Sequence, residues 1–314
     1  MVNSLKSEFA REFCVHEIED FDALYSKLQN CRPIASLSRI NDNLNRLTAD
    51  ASGSVSEIAD VISRDLSLTT RLLRLVNSVF SGLSMRVTSI EEAIFYLGLK
   101  QIRQLAMTTQ VIDDIETMSG DAQSGLDINW TDFWRHSIGV AILSKELSTL
   151  ASTASDADEF YIAGLLKDVG KLLMYREFPD ELRLRVGLNA ATREALSQAE
   201  VACYGWHHAQ LGALYLELNS MPESIVDAVL HQYAPERSQN GGSLAAVVQL
   251  ADMIVRYGGC EAPFESVPAI EYESWDQLPA WTIFFGENSV ELNFARAHIL
   301  GCIERLPALL KGLI

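Results

Sequence analysis

Apolar residues recur three or four positions apart along most of this chain, and that spacing sets the fold class. After Pro33, one such stripe is formed by Leu37, Ile40, Leu44 and Leu47. A helix that buries one face needs this spacing, whereas a half-buried strand needs strict alternation, which is scarce here. We therefore predict an all-α fold for the 314 residues.

Helix start and stop signals divide the first part of the chain into short helices. The segments 54–57 and 89–92 each run from a serine to a glutamate three residues later, which is the capping-box pattern. Gly98 is expected to kink or end the helix that starts after Ser89. We predict that residues 1–115 form an N-terminal bundle of short helices.

The composition changes at an acidic connector, which we place at residues 116–132. Residues 113–132 contain six acidic residues, no basic residue and two glycines. Longer helical patterns follow over 133–257, including one predicted continuous helix from Asp158 to Phe178. We predict that the N-terminal bundle packs on this second helical domain. A loop-rich C-terminal extension, residues 258–314, is predicted to end in helices at about 287–305 and 307–313.

The charge balance and the cysteines limit the classes of function. There are 25 basic and 42 acidic residues, so the formal net charge is −17. Such a surface repels nucleic acids and anionic lipids, and we expect neither as a partner. No apolar run approaches the ~18 residues of a membrane span and the N-terminus resembles no signal peptide, so a cytoplasmic protein is expected. The odd number of cysteines without a C-x-x-C pair is typical of reduced thiols: Cys14, Cys31, Cys203, Cys260 and Cys302.

The second domain places metal-competent side chains along helices that otherwise look buried. Imidazole and carboxylate ligands suit Zn, Fe, Mn or Ni, and facing helices can bring them to one ion. Taken singly, each has an ordinary explanation as a hydrogen-bonded core histidine or a capping aspartate. Taken together, they predict a candidate metal site drawn from the following residues: His136, Asp168, His207, His208, His231 and Asp252.

Several blocks in this order resemble known families. The series WRHS, GLLKDVGK, HHAQLG, IVDAVLHQY and LADMI is similar to the HD superfamily of metal-dependent phosphohydrolases. The series IASLSRINDNLNRL, EIADVISRDLSLTTRLLRLVNSVFSG and VTSIEEAIFYLGLKQIRQLAM is similar to the HDOD domain, a noncatalytic relative found in bacterial signalling proteins. The resemblance covers about residues 31–255. It implies an HDOD-type bundle followed by a degenerate HD-like domain.

The resemblance also assigns the candidate ligands. It implies that His136 is the first histidine, Lys167-Asp168 the His-Asp doublet and Asp252 the last aspartate. His208 and His231 match further histidines of the dinuclear HD-GYP branch. The chain departs from that pattern because the doublet begins with Lys167, Gln232 follows His231, and the GYP signature is missing.

Lys167 changes the chemistry expected at this site. An ammonium ~4 Å from a divalent ion is repelled by about 8 kcal/mol at an effective dielectric constant near 20. Deprotonating the lysine first costs roughly 4–5 kcal/mol at pH 7. We therefore expect the Lys167 ammonium to lie between Asp168 and Asp252 as a counter-charge, with no metal cofactor. Lys171 is either a contact for a phosphate or a solvated lysine at a helix end.

Three functions are compatible with these patterns. The first is a noncatalytic regulatory module that binds a signalling protein or a small nucleotide-like ligand. The second is a phosphohydrolase that uses the five remaining ligands on a nucleotide or cyclic dinucleotide. The third is DNA binding at the Gly98 turn, which ordinary helix packing explains better and the acidic charge opposes; its basic residues are Arg71, Arg74, Lys100 and Arg103. The sequence identifies neither a partner nor an oligomeric state.

Overall fold

The computed structural model is all-helical in the residues that it describes, which confirms the predicted fold class. The described residues form two compact units, one drawn from residues 32–121 and 308–310 and one from 122–307. The structure describes residues 59, 62–63, 69, 72–73, 76–77, 87–98, 102, 130–150, 157–177, 192–204, 206–219, 221–238, 242–262, 269–286 and 289–310. The segment 54–57, the four basic residues near Gly98 and most of the connector 116–132 lie outside them, so the domain boundaries stay a prediction.

Helix α1, Ile90–Leu97, shows both signals read from the sequence. The Ser89 hydroxyl accepts a hydrogen bond from the Glu92 N–H at 3.1 Å. The Glu92 carboxylate accepts one from the Thr88 N–H at 2.8 Å. Gly98 ends the helix with a φ of 82°, a conformation that favours glycine. The predicted start and end of this helix are therefore confirmed.

Among the residues that the structure describes, nine further helices follow from Trp130 onwards. Two short 3₁₀ turns, Pro235–Arg237 and Tyr272–Gln277, lie between them. The helices are α2 Trp130–Ser148, α3 Ala157–Leu166, α4 Val169–Glu177, α5 Arg193–Tyr204, α6 His208–Leu218, α7 Glu223–Leu230, α8 Ser243–Tyr257, α9 Pro279–Phe285 and α10 Ser289–Leu310. None of these described helices is both long and apolar enough to cross a membrane.

Helix α8 lies at the centre of this unit and packs on α2, α3, α7 and α9. Burial of apolar side chains drives that packing. Asp252 and Arg256 are the charged residues that α8 buries among them. The apolar residues of α8 that are fully buried or nearly so are Ala245, Ala246, Val247, Val248, Leu250, Ala251, Ile254 and Val255.

The stretch 158–178, predicted as one continuous helix, is instead broken at Lys167-Asp168. Helix α3 ends at Leu166 and α4 begins at Val169. The Lys171 N–H bonds the Asp168 carbonyl at 3.0 Å, which starts the new helix. The apolar spacing continues across the break, so periodicity alone did not reveal it. The break allows both charged side chains of the doublet to enter the interior of the bundle.

The C-terminal extension contains one long helix where two were predicted. Helix α10 runs through Pro307 to Leu310. Proline removes one backbone donor and crowds the preceding turn. Because Pro307 lies in the last turn, only the end of the helix is affected, so the helix extends past the predicted break. This prediction was wrong in its boundary but right in its helical content.

Candidate functional site

Three of the predicted ligands come together in the interior. His136 lies in the middle of α2, Asp168 at the α3–α4 break and Asp252 in α8, and all three are buried. One ligating atom from each lies within 4.8 Å of the others. His136 Nε2 is 2.8 Å from Asp252 Oδ1 and 3.6 Å from Asp168 Oδ2.

The orientation of the His136 ring is that of a metal ligand. Its Nδ1 lies 2.9 Å from the carbonyl oxygen of Cys260. A carbonyl oxygen only accepts, so Nδ1 is the donor and Nε2 is the nitrogen that faces the two carboxylates. Metal-binding histidines are commonly oriented by this type of bond. Burial lowers the pKa of His136, and the hydrogen bond to Asp252 opposes that effect.

The Lys167 ammonium lies between the two carboxylates. Its Nζ is 2.5 Å from Asp168 Oδ2 and 2.9 Å from Asp252 Oδ1. The side chain is only 1% exposed, so no solvent is available to receive the charge. Burial lowers the pKa of Lys167, and the two carboxylates oppose that effect.

Three further cations complete what we call the charged cluster, defined by His136, Lys167, Asp168, Lys171, Arg193, Asp252 and Arg256. Lys171 Nζ lies 2.9 Å from Asp168 Oδ1. Arg193 and Arg256 both donate to the Asp252 carboxylate, Arg256 at 3.3 Å. All of these residues are buried. The alternative of a solvated Lys171 is therefore wrong, whereas a phosphate contact by Lys171 stays a prediction.

The cations keep both aspartates ionised. Burial alone would raise the pKa of Asp168, but the Lys167 and Lys171 ammonium groups outweigh burial and lower it. Burial likewise opposes ionisation of Asp252, and the Arg193 and Arg256 guanidinium groups hold its pKa well below the usual value. The cluster thus contains four positive groups around two carboxylates.

These residues do not fit a divalent metal ion with Lys167 in its present place. The Lys167 ammonium already contacts Asp168 and Asp252, two of the three candidate ligands; His136 is the third. Lysine and arginine side chains already neutralise both carboxylates. An added ion would face the repulsion of about 8 kcal/mol described above. The electrostatics of the cluster therefore oppose the cofactor that the HD resemblance implies, although the ligand geometry is retained.

His208 does not join the three ligands, because other groups occupy both of its ring nitrogens. Its Nδ1 pairs with the Glu200 carboxylate at 2.7 Å. Its Nε2 lies 2.7 Å from the Tyr233 hydroxyl. The backbone N–H of His208 also donates to Glu200 Oε2 at 3.0 Å. The histidine thus belongs to a Glu200–His208–Tyr233 chain of hydrogen bonds.

His231 is also held by its own helix. Its Nδ1 lies 3.0 Å from both the carbonyl oxygen and Oδ1 of Asp227, four residues earlier. Next to it, Gln232 Nε2 donates to the Lys167 carbonyl at 3.0 Å. Where the HD-GYP pattern has a second histidine, this chain thus has Gln232, whose side-chain amide bonds the backbone of the Lys167-Asp168 doublet.

Four residues of this region were not predicted from the sequence: Glu200, Tyr233, Arg193 and Arg256. Arg256 follows Asp252 by four residues on α8, a spacing that brings helical side chains together and could have identified the pair. Arg193 is 59 positions from its partner Asp252, and no local pattern links them. Tyr233 is separated from His208 by 25 positions.

Acid is expected to weaken the fold through His207, which precedes α6. Burial lowers the pKa of His207 to about 4. Between the ordinary value of 6.5 and this value, the unfolded chain binds a proton that the folded chain does not. The free energy of unfolding should therefore fall as the pH decreases from 7 towards 4. Urea denaturation at several pH values measures this fall.

The matched control is His207→Gln, which cannot titrate. We expect a smaller loss of stability between pH 7 and pH 5 in this variant, with the remainder due to His136, whose pKa is also lowered by burial. The pKa values of the Asp168 and Asp252 carboxyl groups are lowered in the folded protein. Their contribution to stability is lost only as the pH falls below about 4, which is outside this pH range. An unchanged pH profile in His207→Gln would contradict the assignment.

A profile of the HDOD domain family matches residues 34–235. A protein of uncharacterised function from Treponema pallidum is 24% identical over 215 residues, which is 68% of this chain and 40% of the relative. The chain thus spans less than half the length of that relative.

Solved structures show the same fold. An HDOD domain protein of unknown function from Geobacter sulfurreducens has a TM-score of 0.60 and 23% identity, over 87% of this chain and 91% of that one. A candidate phosphohydrolase from Shewanella amazonensis SB2B has a TM-score of 0.61 and 20% identity, over 93% and 98%. A candidate signal transduction protein from Marinobacter aquaeolei VT8 has a TM-score of 0.63 and 17% identity, over 94% and 65%.

The family match covers more than half of the chain and includes the blocks on which the resemblance was based except LADMI, residues 250–254, which contains Asp252. It includes the Lys167-Asp168 doublet and His231, and it ends before α8. The chain is therefore a member of the HDOD domain family.

Proposed function

We propose that this chain is a noncatalytic HDOD regulatory module, a scaffold that binds a signalling protein or senses a small nucleotide-like ligand. The observation that supports this proposal is the Lys167 ammonium between Asp168 and Asp252. It occupies the centre of the ligand set that an HD phosphohydrolase would use. The family membership and the one neighbour described as a signal transduction protein point to the same class of function.

The chemistry of hydrolysis supports the noncatalytic role. Hydrolysis by a metal phosphohydrolase depends on an ion that generates hydroxide near neutral pH. Here the carboxylates are bonded to lysines and arginines, and the second histidine is engaged with Glu200 and Tyr233. In the part of the chain that the structure describes, the interior groups at this site therefore stabilise one another rather than a substrate.

A second candidate function is a metal-dependent phosphohydrolase acting on a nucleotide or cyclic dinucleotide. The specific observation in its favour is that His136, Asp168 and Asp252 retain ligating atoms within 4.8 Å of one another. The bond from His136 to Cys260 also orients Nε2 as in a ligand. This function requires the Lys167 side chain to leave the cluster.

Metal content and phosphate release separate the two functions. In purified protein we expect less than stoichiometric Mn, Fe and Ni, and no phosphate release from nucleotides or cyclic dinucleotides beyond that of Asp168→Asn. This control removes a candidate ligand charge without changing the side-chain shape. Near-stoichiometric metal together with phosphate release that Asp168→Asn abolishes would overturn the noncatalytic proposal.

Restoring the His-Asp doublet is expected to restore metal binding. Lys167→His removes the ammonium and adds an imidazole beside His136, Asp168 and Asp252. We expect Mn²⁺ binding in this variant, measured by the loss of the free-ion electron paramagnetic resonance signal, and none in the parent protein. Lys167→Gln is the matched control, because it removes the charge without adding a ligand.

The comparison of the two variants tests the role of the charge. If Lys167→Gln binds Mn²⁺ as well as Lys167→His does, repulsion by the ammonium is the main barrier. If the parent chain binds Mn²⁺ as tightly as Lys167→His, the counter-charge role is wrong. Circular dichroism checks that each variant is folded before the titration.

A further inference from the structure

A second group of metal-competent side chains lies between α2 and α10 and shares no residue with the charged cluster. Glu146 belongs to α2, and His298 and Cys302 belong to α10. One ligating atom from each lies within 4.8 Å of the others. His298 Nε2 is 3.4 Å and Cys302 Sγ is 3.7 Å from the same Glu146 oxygen, Oε2.

The three side chains are arranged for chelation by their positions on the helices. His298 and Cys302 are four residues apart on α10, so they project from the same face one turn apart. Glu146 approaches this face from α2. Cys302 is buried, whereas the side chains of Glu146 and His298 are 40% and 32% exposed. The group therefore has an inner thiol and an outer side that is open to water.

We propose that Glu146, His298 and Cys302 bind a borderline-soft divalent cation, with Zn²⁺ preferred over Mn²⁺ and Mg²⁺. Zinc takes nitrogen, sulfur and carboxylate ligands in a tetrahedral arrangement, and a site with three protein ligands leaves the fourth position to water. The thiol selects against the harder ions, which prefer oxygen ligands. On binding, the Cys302 thiol loses its proton to solvent and the thiolate sulfur bonds the metal.

The cation beside this group is exposed, whereas the Lys167 ammonium of the charged cluster is buried. Arg305 Nη2 lies 3.3 Å from Cys302 Sγ, so a cation is close to this group as well. However, Arg305 is exposed, and its long side chain can withdraw into water. Lys167 is 1% exposed and has no such route. An incoming ion can therefore displace Arg305 but not Lys167.

Such a site would fasten the C-terminal helix to the bundle. Helix α2 also carries His136, and the Leu306 side chain of α10 lies close to Gly139 of α2. A ligand that binds only the folded state raises its stability. Zinc should therefore raise the melting temperature of the protein.

Cobalt provides a direct test, because Co²⁺ takes the place of Zn²⁺ and its bond to a thiolate absorbs in the near ultraviolet. The full-length, metal-free and reduced chain is titrated with Co²⁺. We expect the thiolate band in the parent protein and in Cys260→Ser, and its loss in Cys302→Ser. His298→Gln should weaken Co²⁺ binding about tenfold or more, at least the effect of removing an outer partner of a metal ligand.

Cys260 is the matched control because it is also a buried free cysteine, and its carbonyl bonds His136 of the charged cluster. The residues of the charged cluster contain no thiol, so the result is independent of whether the proposed function holds. Absence of the band in the parent protein, or its persistence in Cys302→Ser, would overturn the proposal. If Cys302→Ser does not fold, His298→Gln, which changes a partly exposed side chain, decides: an unchanged Co²⁺ affinity overturns the proposal.

Discussion

Replacing Lys167 with methionine is expected to lower the free energy of unfolding by about 3 kcal/mol. Removing one partner of a buried ion pair typically costs about 3–5 kcal/mol, because the remaining charge is left in the interior. The lower end applies here, since Lys171, Arg193 and Arg256 still contact the two carboxylates. Methionine preserves most of the side-chain volume, so the loss reports on the charge. Urea denaturation followed by circular dichroism measures it.

Two comparisons separate charge from packing. Lys145→Met changes a partly exposed lysine of α2 and should cost well under 1 kcal/mol, as is usual for surface substitutions. The double variant Lys167→Met/Asp168→Asn removes a negative charge together with the positive one and should recover part of the lost stability. A double variant that is less stable than Lys167→Met would show that Asp168 does not depend on Lys167 for its counter-charge.

Replacing Gly170 with alanine is expected to have an effect at least as large, about 3 kcal/mol or more. A Cβ atom at Gly170 would lie 1.8 Å from the carbonyl oxygen of His208 and 2.7 Å from the backbone nitrogen of Gly212. Both contacts are to backbone, so no side chain can turn away and α4 must separate from α6. Overpacking of a tight interior typically costs about 1–3 kcal/mol, and a clash with backbone lies at or above the upper end.

Gly301→Ala is the matched control for this substitution. Gly301 also lies within a helix, α10, but a Cβ atom there would meet nothing within 4 Å. Alanine should therefore stabilise the protein by about 0.5–1 kcal/mol through its higher helix propensity. Denaturation curves of the two variants measured side by side test the explanation. Equal effects of the two substitutions would show that the α4–α6 contact is looser than described.

The elements that the sequence predicted are those with local causes. The cap at Ser89 and the end at Gly98 depend on residues within one or two turns of each other. The buried face of α8 likewise follows from the spacing of its own apolar residues. The position of Lys167 followed from the family resemblance and from the electrostatic conflict that a lysine creates beside a metal ligand.

The missed features depend on contacts between distant segments. Arg193 meets Asp252, and Tyr233 meets His208, only after the helices have packed. The break at Lys167-Asp168 is hidden because apolar residues continue through it with helical spacing. The identity of Gly170 is explained by the carbonyl of His208, a neighbour that no local pattern indicates.

The turn after α7 links the charged cluster to the Glu200–His208–Tyr233 chain of hydrogen bonds. Gln232 bonds the backbone at Lys167, while its neighbour Tyr233 bonds His208. Any partner or ligand that displaces these adjacent residues must disturb both hydrogen bonds together. A displacement of this two-residue turn would therefore reach the charged cluster and the Glu200–His208–Tyr233 chain at the same time.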